Sequence, residues 1–204
     1  MSALDLRQLA GVLFDMDGTL VDSDAAVERA WRVWSAEYGV DPAAVIAIAH
    51  GAPAERTVRL IRPDLDDAAV ADAAERQLAL QYDDLSDVVA APGADELLAR
   101  LTLPWAVVTS ADVRLAKARL GAAGIAAPVL VTVEDVPAGK PDPAGYLRGA
   151  ALLGVPPERC LVVEDAEVGV VAGRAAGAVV AGLKGLAADV RIKDLRELAL
   201  LLKI

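Results

Sequence analysis

The stretch GVLFDMDGTL, residues 11–20, places four apolar residues directly before two carboxylates, Asp15 and Asp17. A short continuous apolar run is typical of a strand that is buried on both faces of a parallel sheet. Similar runs recur later in the chain, at residues 105–108, 128–133, 161–163 and 178–183. Helical patterns separate them, at residues 112–122, 143–153 and 168–176. This alternation predicts an α/β fold with a Rossmann-like, doubly wound parallel sheet.

The segment between residues 24 and 90 interrupts that alternation. It contains no obvious strand but a series of helical patterns, at residues 24–38, from 41 onwards, 53–61 and 66–85. Ser23 or Asp24 is suited to cap the first helix, and Gly39 is suited to end it. We therefore expect an α/β core and an inserted all-helical domain. The boundaries predicted for the core are 1–20 and 91–204, and those for the insert are 21–90.

The composition indicates a folded protein with an acidic surface. Hydrophobic residues make up 55% of the 204 residues, which supports a sizeable core, and the formal net charge is −10. A diffuse negative surface binds nucleic acid and anionic lipid poorly, although a few cations can reverse the field inside one cleft. We expect no nucleic-acid or membrane partner, and a monomer or weak dimer.

The sequence carries no recognisable address signal. Residues 1–10 have no basic region ahead of an apolar stretch, so they do not resemble a signal peptide. There is no uninterrupted apolar run of about 18 residues, the length that suggests a membrane-spanning helix. The single cysteine, Cys160, adjoins an apolar run, which favours a core thiol. A cytoplasmic location is the expectation.

Polar side chains follow the first two strands of the predicted core. Asp15 and Asp17 come after the first strand, and Thr109 and Ser110 come after the strand at residues 105–108. Two carboxylates in one cleft can divide nucleophilic attack and proton transfer between them. A hydroxyl and a backbone N–H can hold phosphate oxygens. Taken alone, an acidic turn is the ordinary explanation of the first pair, and a helix cap explains the second pair equally well.

Two further polar clusters occur later in the core. Lys140 begins a loop stiffened by two prolines, and Glu164 and Asp165 follow the strand at residues 161–163. A fixed ammonium can neutralise a phosphate, and adjacent carboxylates suit Mg²⁺. A solvated lysine and paired carboxylates in water are the ordinary alternatives. The carboxyl ends of parallel strands share one edge of the sheet, so all four clusters are expected to converge there.

These four clusters, in this order, resemble the motifs of the haloacid dehalogenase-like superfamily. Residues 14–23, FDMDGTLVDS, resemble its first motif and residues 107–110, VVTS, its second. Residues 140–143, KPDP, resemble the third, and residues 163–165 with Gly169 resemble the fourth. The insert resembles the mobile helical cap of the first class. The most similar subgroup contains β-phosphoglucomutase-like proteins and small sugar or polyol phosphatases.

The resemblance implies a covalent mechanism. Asp15 matches the nucleophile that forms an aspartyl-phosphate, and Asp17 matches the general acid that protonates the leaving alkoxide and then activates water. Thr109, the amide of Ser110, and Lys140 match the groups that hold the transferring phosphoryl group.

The resemblance also implies a Mg²⁺ cofactor. Its expected ligands are Asp15, the backbone carbonyl of Asp17, and Asp165, with Glu164 bound directly or through water. The metal offsets the repulsion between an anionic nucleophile and an anionic phosphate.

Several residues separate phosphatase activity from related chemistries. Dehalogenases need no acid at the position of Asp17, and the phosphonatase class uses a cap lysine, whereas residues 24–90 contain none. β-Phosphoglucomutases carry a cap histidine where this chain has Val27. These features favour hydrolysis of a phosphate monoester and leave a phosphosugar mutase as the alternative. A non-catalytic binding protein would be expected to lack Asp15 or Asp17.

The insert offers a few candidates for substrate recognition. His50, the only histidine, lies in a small loop between two predicted helices, and Arg56 begins the next helix. Either could contact the substrate, or they could be a helix-end residue and a surface arginine. Trp31 and Trp34 are expected in the core of the insert rather than stacked on a sugar. A small cap favours a small sugar or polyol phosphate as the substrate.

Overall fold

A computed structural model of the chain describes residues 6–49, 52–82 and 84–204. Its main sheet has six parallel strands: β1 (Gly11–Phe14), β4 (Trp105–Val108), β5 (Leu130–Val131), β6 (Cys160–Glu164), β7 (Val179–Gly182) and β8 (Val190–Arg191). Their order in the sheet is β5-β4-β1-β6-β7-β8. The predicted doubly wound α/β fold is thereby confirmed, with β1 at the centre and buried along its whole length.

Helices cover both faces of this sheet. They are α5 (Ala94–Arg100), α6 (Val113–Ala122), α7 (Ala144–Leu153), α8 (Glu167–Ala175) and α9 (Leu195–Leu202). Successive strand residues alternate between two hydrophobic clusters, so Phe14 packs towards α5, α6 and α9, whereas Leu13 packs towards α7 and α8. Cys160 belongs to the second cluster and is fully buried, as expected for a core thiol.

In the part of the insert that the structure describes, four helices form a bundle after β1. They are α1 (Asp24–Tyr38), α2 (Pro42–Ala49), α3 (Ala54–Ile61) and α4 (Asp67–Tyr82). The bundle has a hydrophobic cluster of its own, in which Trp31 and Trp34 are buried as predicted. Trp34 Nε1 donates to the carbonyl of Ala73 at 2.8 Å, so the N–H of the indole has a hydrogen-bond partner inside the cluster. Gly39 ends α1 with a φ of 64°, as its position in the sequence predicts.

Two short strands connect the bundle to the core. β2 (Val21–Asp22) and β3 (Val89–Ala90) pair antiparallel as the chain leaves and re-enters the core. The expectation that residues 24–90 contain no strand is therefore wrong at β3. Its two residues are too few to give a periodic signal, and they are extended because the two chain crossings run side by side.

The structure shortens one predicted strand and adds elements that the sequence did not indicate. The strand predicted at residues 128–133 narrows to β5, because Pro128 has no N–H and Thr132 begins a 3₁₀ turn in which its amide donates to Asp135 at 2.8 Å. Neither α5 nor β8 was predicted. Across the described ranges, each helix is too short or too polar to cross a membrane.

Candidate active site

The parallel strands bring the predicted polar residues to one edge of the sheet. Asp15 follows β1, Thr109 follows β4, and Glu164 is the last residue of β6. The amide of Asp15 donates to the carbonyl of Val163 at 3.0 Å, and that of Thr109 donates to Val131 at 2.9 Å. Backbone bonds of the sheet thus fix the start of each loop, which limits how far the side chains can separate.

A tight turn follows Asp15 and lets a second loop approach closely. Gly18 has a φ of +78°, a conformation that favours glycine. A Cβ atom there would lie 2.1 Å from Oδ2 of Asp165, so only glycine leaves room for this carboxylate. Gly18 therefore determines how near Asp165 comes to the loop that carries Asp15.

Lys140 connects two of the carboxylates. Its Nζ donates to Asp15 Oδ1 at 2.5 Å, to Glu164 Oε1 at 2.6 Å and to the carbonyl of Val108 at 3.1 Å. Burial alone would lower the pKa of Lys140, but the charges of Asp15 and Glu164 outweigh it and hold the pKa well above its usual value. Lys140 is therefore a buried ammonium whose three hydrogens are all used.

Glu164 is fully buried and fully hydrogen-bonded. Its Oε1 accepts from Lys140 and, at 2.5 Å, from the hydroxyl of Tyr146, while Oε2 accepts the amides of Asp165 at 3.1 Å and Ala166 at 3.2 Å. Burial and the neighbouring Glu164 charge raise the pKa of Tyr146 well above its usual value, so it remains a donor. Four donors satisfy the carboxylate, which makes its burial tolerable.

The carboxylates of Asp15, Glu164 and Asp165 form a cluster that could hold a cation. Each offers an oxygen, and these atoms lie within 4.8 Å of one another. Burial raises the pKa of Asp15 well above its usual value, and the positive charge of Lys140 only partly opposes this rise. Burial also raises the pKa of Asp165, and the ammonium of Lys184 opposes that rise. Crowded, buried carboxylates of this kind favour a bound positive ion.

Asp17 is held by two donors. Ser23 Oγ donates to Oδ1 at 2.6 Å, and the buried guanidinium of Arg119 lies with Nη1 2.8 Å from Oδ2. Ser23 or Asp24 was expected to cap α1. Ser23 takes the cap position, but its hydroxyl makes no capping bond and contacts Asp17 instead. Arg119 Nη2 donates to Gln81 of the insert at 2.6 Å, so contacts with Asp17 extend into the helical bundle.

A cavity of about 560 Å³ lies between this edge of the sheet and the insert. Asp15, Asp17 and Lys140 border it from the core. Thr109 and Ser110 also border it, and the insert contributes Val27, Trp31, Ala74, Gln77 and Gln81 among others. The hydroxyl oxygen of Thr109 accepts the amide of Ala111 at 3.0 Å. The structure thus brings all the core candidates to one cavity.

The residues of the insert that were considered for substrate contact differ in where they lie relative to the cavities. His50 lies outside the described residues. Arg56 is exposed on α3 and borders a neighbouring cavity, together with Asp165 and Lys184. Trp31 contributes both to the hydrophobic cluster of the insert and to the wall of the main cavity.

Arg119 and Tyr146 were missed by the sequence analysis. Arg119 follows Leu115 by four residues on α6, so it shares the buried face of that helix. Tyr146 similarly shares the buried face of α7 with Ala150. A charged or hydroxyl-bearing residue on an apolar helix face is the signal that could have identified both.

Comparisons with known proteins agree with this geometry. Residues 9–177 match the sequence profile of the haloacid dehalogenase-like hydrolases. Hexitol phosphatase A of Escherichia coli is 43% identical, over 90% of this chain and 87% of that protein. The 2-deoxyglucose-6-phosphate phosphatase 1 of Saccharomyces cerevisiae is 38% identical, over 84% of this chain and 78% of that protein.

A solved structure extends the likeness to the fold. β-Phosphoglucomutase from Clostridium difficile superposes with a TM-score of 0.82 at 18% identity, over 93% of each chain. That likeness shows the fold. The profile match over residues 9–177 and the identity to the two phosphatases show that the chain belongs to the haloacid dehalogenase-like hydrolases.

Proposed function

We propose that this member of the haloacid dehalogenase-like hydrolases is a Mg²⁺-dependent phosphatase that acts on a small sugar or polyol phosphate through a phosphoryl-Asp15 intermediate. The observation that carries the proposal is the position of Asp15, which borders the cavity beside a buried lysine and two further carboxylates. The two curated relatives are named as phosphatases of a hexitol phosphate and of a deoxysugar phosphate, which supports the substrate class.

The first half of the reaction forms a bond from an Asp15 oxygen to phosphorus and breaks the bond from phosphorus to the leaving alkoxide. Asp17 gives a proton to that alkoxide, which leaves as an alcohol. Lys140 holds Asp15 Oδ1 at 2.5 Å and so restricts rotation of the nucleophile. Its positive charge, with Thr109 and the amide of Ser110, is suited to the equatorial phosphate oxygens.

The second half returns the enzyme to its starting state. A water oxygen bonds to phosphorus, the bond between phosphorus and Asp15 breaks, and Asp17 takes the proton from that water. One group serves as acid and then as base, so its orientation matters in both halves. Ser23 and Arg119, which contact its two oxygens, supply that orientation.

The donor set fits Mg²⁺, which prefers hard oxygen ligands and keeps several waters. Asp15, the backbone carbonyl of Asp17, and Asp165 are the proposed ligands. Each oxygen of Glu164 already accepts two hydrogen bonds, so we propose that Glu164 acts through water and through Lys140 rather than as a direct ligand. When bound, the metal supplies positive charge that lets an anionic nucleophile approach an anionic phosphate.

The cavity supports a small substrate. Its volume of about 560 Å³ accommodates a phosphorylated metabolite, and residues of the helical bundle form part of its wall. Val27 borders the cavity. The resemblance to β-phosphoglucomutases implies a histidine at this position, so its absence favours transfer to water. Likeness to β-phosphoglucomutase concerns the fold and adds nothing to the mutase alternative.

The decisive experiment is a phosphate-release screen over hexitol, hexose, glycerol, glycolate and aryl phosphates, with Mg²⁺ and with a chelator. We expect Mg²⁺-dependent release from polyol or sugar phosphates. The variant Asp15→Asn should lower kcat/KM by about 10³-fold or more while it retains the fold, as expected for a nucleophile. Asp67→Asn, an exposed carboxylate of the insert, is the matched control.

Three outcomes would contradict this function. Absence of metal-dependent turnover on every phosphate in the panel would refute the hydrolase assignment. Recovery of labelled phosphate on a residue other than Asp15 would refute the covalent route. Conversion of β-glucose 1-phosphate into glucose 6-phosphate, in place of free phosphate, would identify a mutase.

A further inference from the structure

Arg119 links Asp17 to the helical insert. It lies on α6 of the core with 2% of its side chain exposed, and a guanidinium at that depth requires partners. Nη1 lies 2.8 Å from Asp17 Oδ2, and Nη2 donates to Gln81 Oε1 on α4 at 2.6 Å. Any displacement of Gln81 therefore acts on the group that orients Asp17.

The direction of the hydrogen bonds beyond Arg119 is fixed by chemistry. A guanidinium only donates, so Gln81 must present its oxygen to Arg119. The amide nitrogen of Gln81 then points away, and it donates to Gln77 Oε1 at 2.6 Å. This leaves Gln77 Nε2 as the free end, and no acceptor for it lies among the described residues. The chain of bonds therefore ends in an N–H donor.

The residue that carries this N–H, Gln77, lies at the wall of the main cavity. Gln77 borders that cavity, yet only 1% of the residue is exposed to solvent. A buried donor without a partner costs about 1–3 kcal/mol, so an acceptor supplied by a ligand would be stabilising. The phosphate has Lys140 as its charged partner, whereas a neutral amide donor is suited to a hydroxyl oxygen. The carboxylates of Glu55 and Glu75, on the same wall, can accept hydroxyl protons.

We propose that Gln77 and Gln81 recognise a hydroxyl group on the leaving group of the substrate, and that Arg119 is the positioning residue that transmits this contact to Asp17. The inference rests on the proposed phosphatase function and deepens it. A hydroxyl oxygen that accepts from Gln77 fixes both amides, which fixes the guanidinium of Arg119. Asp17 is then held where it can protonate the leaving oxygen, so a hydroxylated substrate improves its own turnover.

The test compares three substrates that differ in the features concerned. A hexitol phosphate carries hydroxyl groups, n-butyl phosphate carries none, and 4-nitrophenyl phosphate has a leaving group that departs without a proton. The measured quantity is kcat/KM, which covers the steps up to release of the leaving group. We expect Gln77→Leu to lower it about tenfold for the hexitol phosphate, the effect of one hydrogen bond, and to lower it less for n-butyl phosphate, which offers Gln77 no hydroxyl oxygen.

Variants of Arg119 test the positioning role. We expect Arg119→Met to lower kcat/KM about 10²-fold for both alkyl phosphates, because general acid catalysis is lost, and to spare 4-nitrophenyl phosphate. Arg119→Lys keeps the charge but lacks the planar fork that contacts Asp17 and Gln81 together. We therefore expect it to recover kcat/KM, relative to Arg119→Met, more for n-butyl phosphate than for the hexitol phosphate. Arg174→Met, at an exposed arginine of α8, is the control. If Arg119→Met fails to fold, Gln81→Leu tests the same connection.

The outcomes separate the inference from the function on which it rests. If each variant loses activity equally on all three substrates, in proportion to its loss of Tm, the residues are only structural and the inference is overturned. If the unaltered protein hydrolyses none of the three, the proposed function fails and the inference fails with it.

Discussion

Gly169 shows how one missing side chain shapes the site. It lies on α8 directly against Glu164, and a Cβ atom there would lie 1.7 Å from Oε1 and 1.9 Å from Cδ of that side chain. Glu164 cannot swing aside without breaking its bonds to Lys140 and Tyr146. The glycine is therefore required by the close approach of a pinned carboxylate.

The change Gly169→Ala tests this reasoning. Alanine is favoured over glycine in a helix by about 0.5–1 kcal/mol. The clash and the lost hydrogen bonds outweigh that gain, so we expect a net loss of about 1–3 kcal/mol in the free energy of unfolding. Phosphatase activity should fall at least about tenfold, as Lys140 loses a partner. Urea unfolding and kcat/KM are the measurements.

Gly121→Ala is the matched control for that change. Gly121 lies on α6 with nothing within 4 Å of an added Cβ, so alanine should raise the free energy of unfolding by about 0.5 kcal/mol. Equal stability and activity in the two variants would refute the steric argument at Gly169.

Cys160 gives a second prediction at this scale. Burial raises the pKa of its thiol to about 11, so almost no thiolate forms near pH 8. We expect a disulfide reagent to leave Cys160 unmodified in the native protein and to react fully once urea has unfolded it. Rapid modification of the native protein would contradict the buried position.

Individual residues differ in how well the sequence predicts them. Asp15, Thr109 and Glu164 each directly follow an apolar run, so their convergence was predictable from parallel topology. The contacts of Asp17 with Ser23 and Arg119 could not be predicted in this way. Ser23 reads as a helix cap, and it contacts Asp17 only because the turn at Gly18 folds the chain back.

The helix α7 depends on close contact with the sheet. Gly149 faces β1 and β4, and a Cβ atom there would lie 3.0 Å from Leu13 Cδ2 and 3.0 Å from Val108 Cγ2. Tyr146, one turn earlier on the same helix, donates to Glu164. The depth of α7 on the sheet therefore sets the position of a hydrogen-bond donor in the site.

A large side chain at Gly149 should push α7 away from the sheet. We expect Gly149→Leu to reduce the free energy of unfolding by about 1–3 kcal/mol through overpacking and to lower activity by displacing Tyr146. The same change at the open position Gly121 is the control, which should leave activity unchanged and raise the free energy of unfolding slightly, as leucine is favoured over glycine in a helix. The measurements are urea unfolding and kcat/KM. Normal activity in a destabilised Gly149→Leu would show that Tyr146 keeps its place.

Elements were predictable where they were long and periodic. Both ends of α1 agree with the predicted range. Its C-terminal end was marked in the sequence by Gly39, which takes the left-handed conformation. The strands β3 and β8, two residues each, lie below the length at which alternation can be recognised. They form because neighbouring chain segments pair with them, which is a tertiary effect.

At the scale of the whole molecule, the division into a core of residues 1–20 and 91–204 and an insert of residues 21–90 remains a prediction. It has support in the packing, since the insert has a hydrophobic cluster centred on Trp34 that is separate from the two clusters of the core. Composition could not have indicated how the two parts meet. The contacts across the cavity, such as Arg119 with Gln81, join residues 38 positions apart.

Excision of the insert tests this division. Asp22 and Val89 are paired neighbours on antiparallel strands, so replacing residues 23–88 by Asn-Gly should close a two-residue hairpin without strain in the core. We expect a cooperatively folding protein, observed by circular dichroism and urea unfolding. Mg²⁺-dependent hydrolysis of 4-nitrophenyl phosphate should persist, because Asp15 and Lys140 remain.

Selectivity should not survive the excision. The shortened protein lacks Gln77, Gln81 and Ser23, and water is no longer excluded from the cavity, so kcat/KM for a hexitol phosphate should fall about 10²-fold or more. The ratio of hexitol to aryl phosphate turnover is therefore the quantity to measure, with the full chain as the control. An unfolded product would refute the independence of the core. A folded product with the original ratio would show instead that the core alone selects the substrate, and the bundle would then serve only to cover the site.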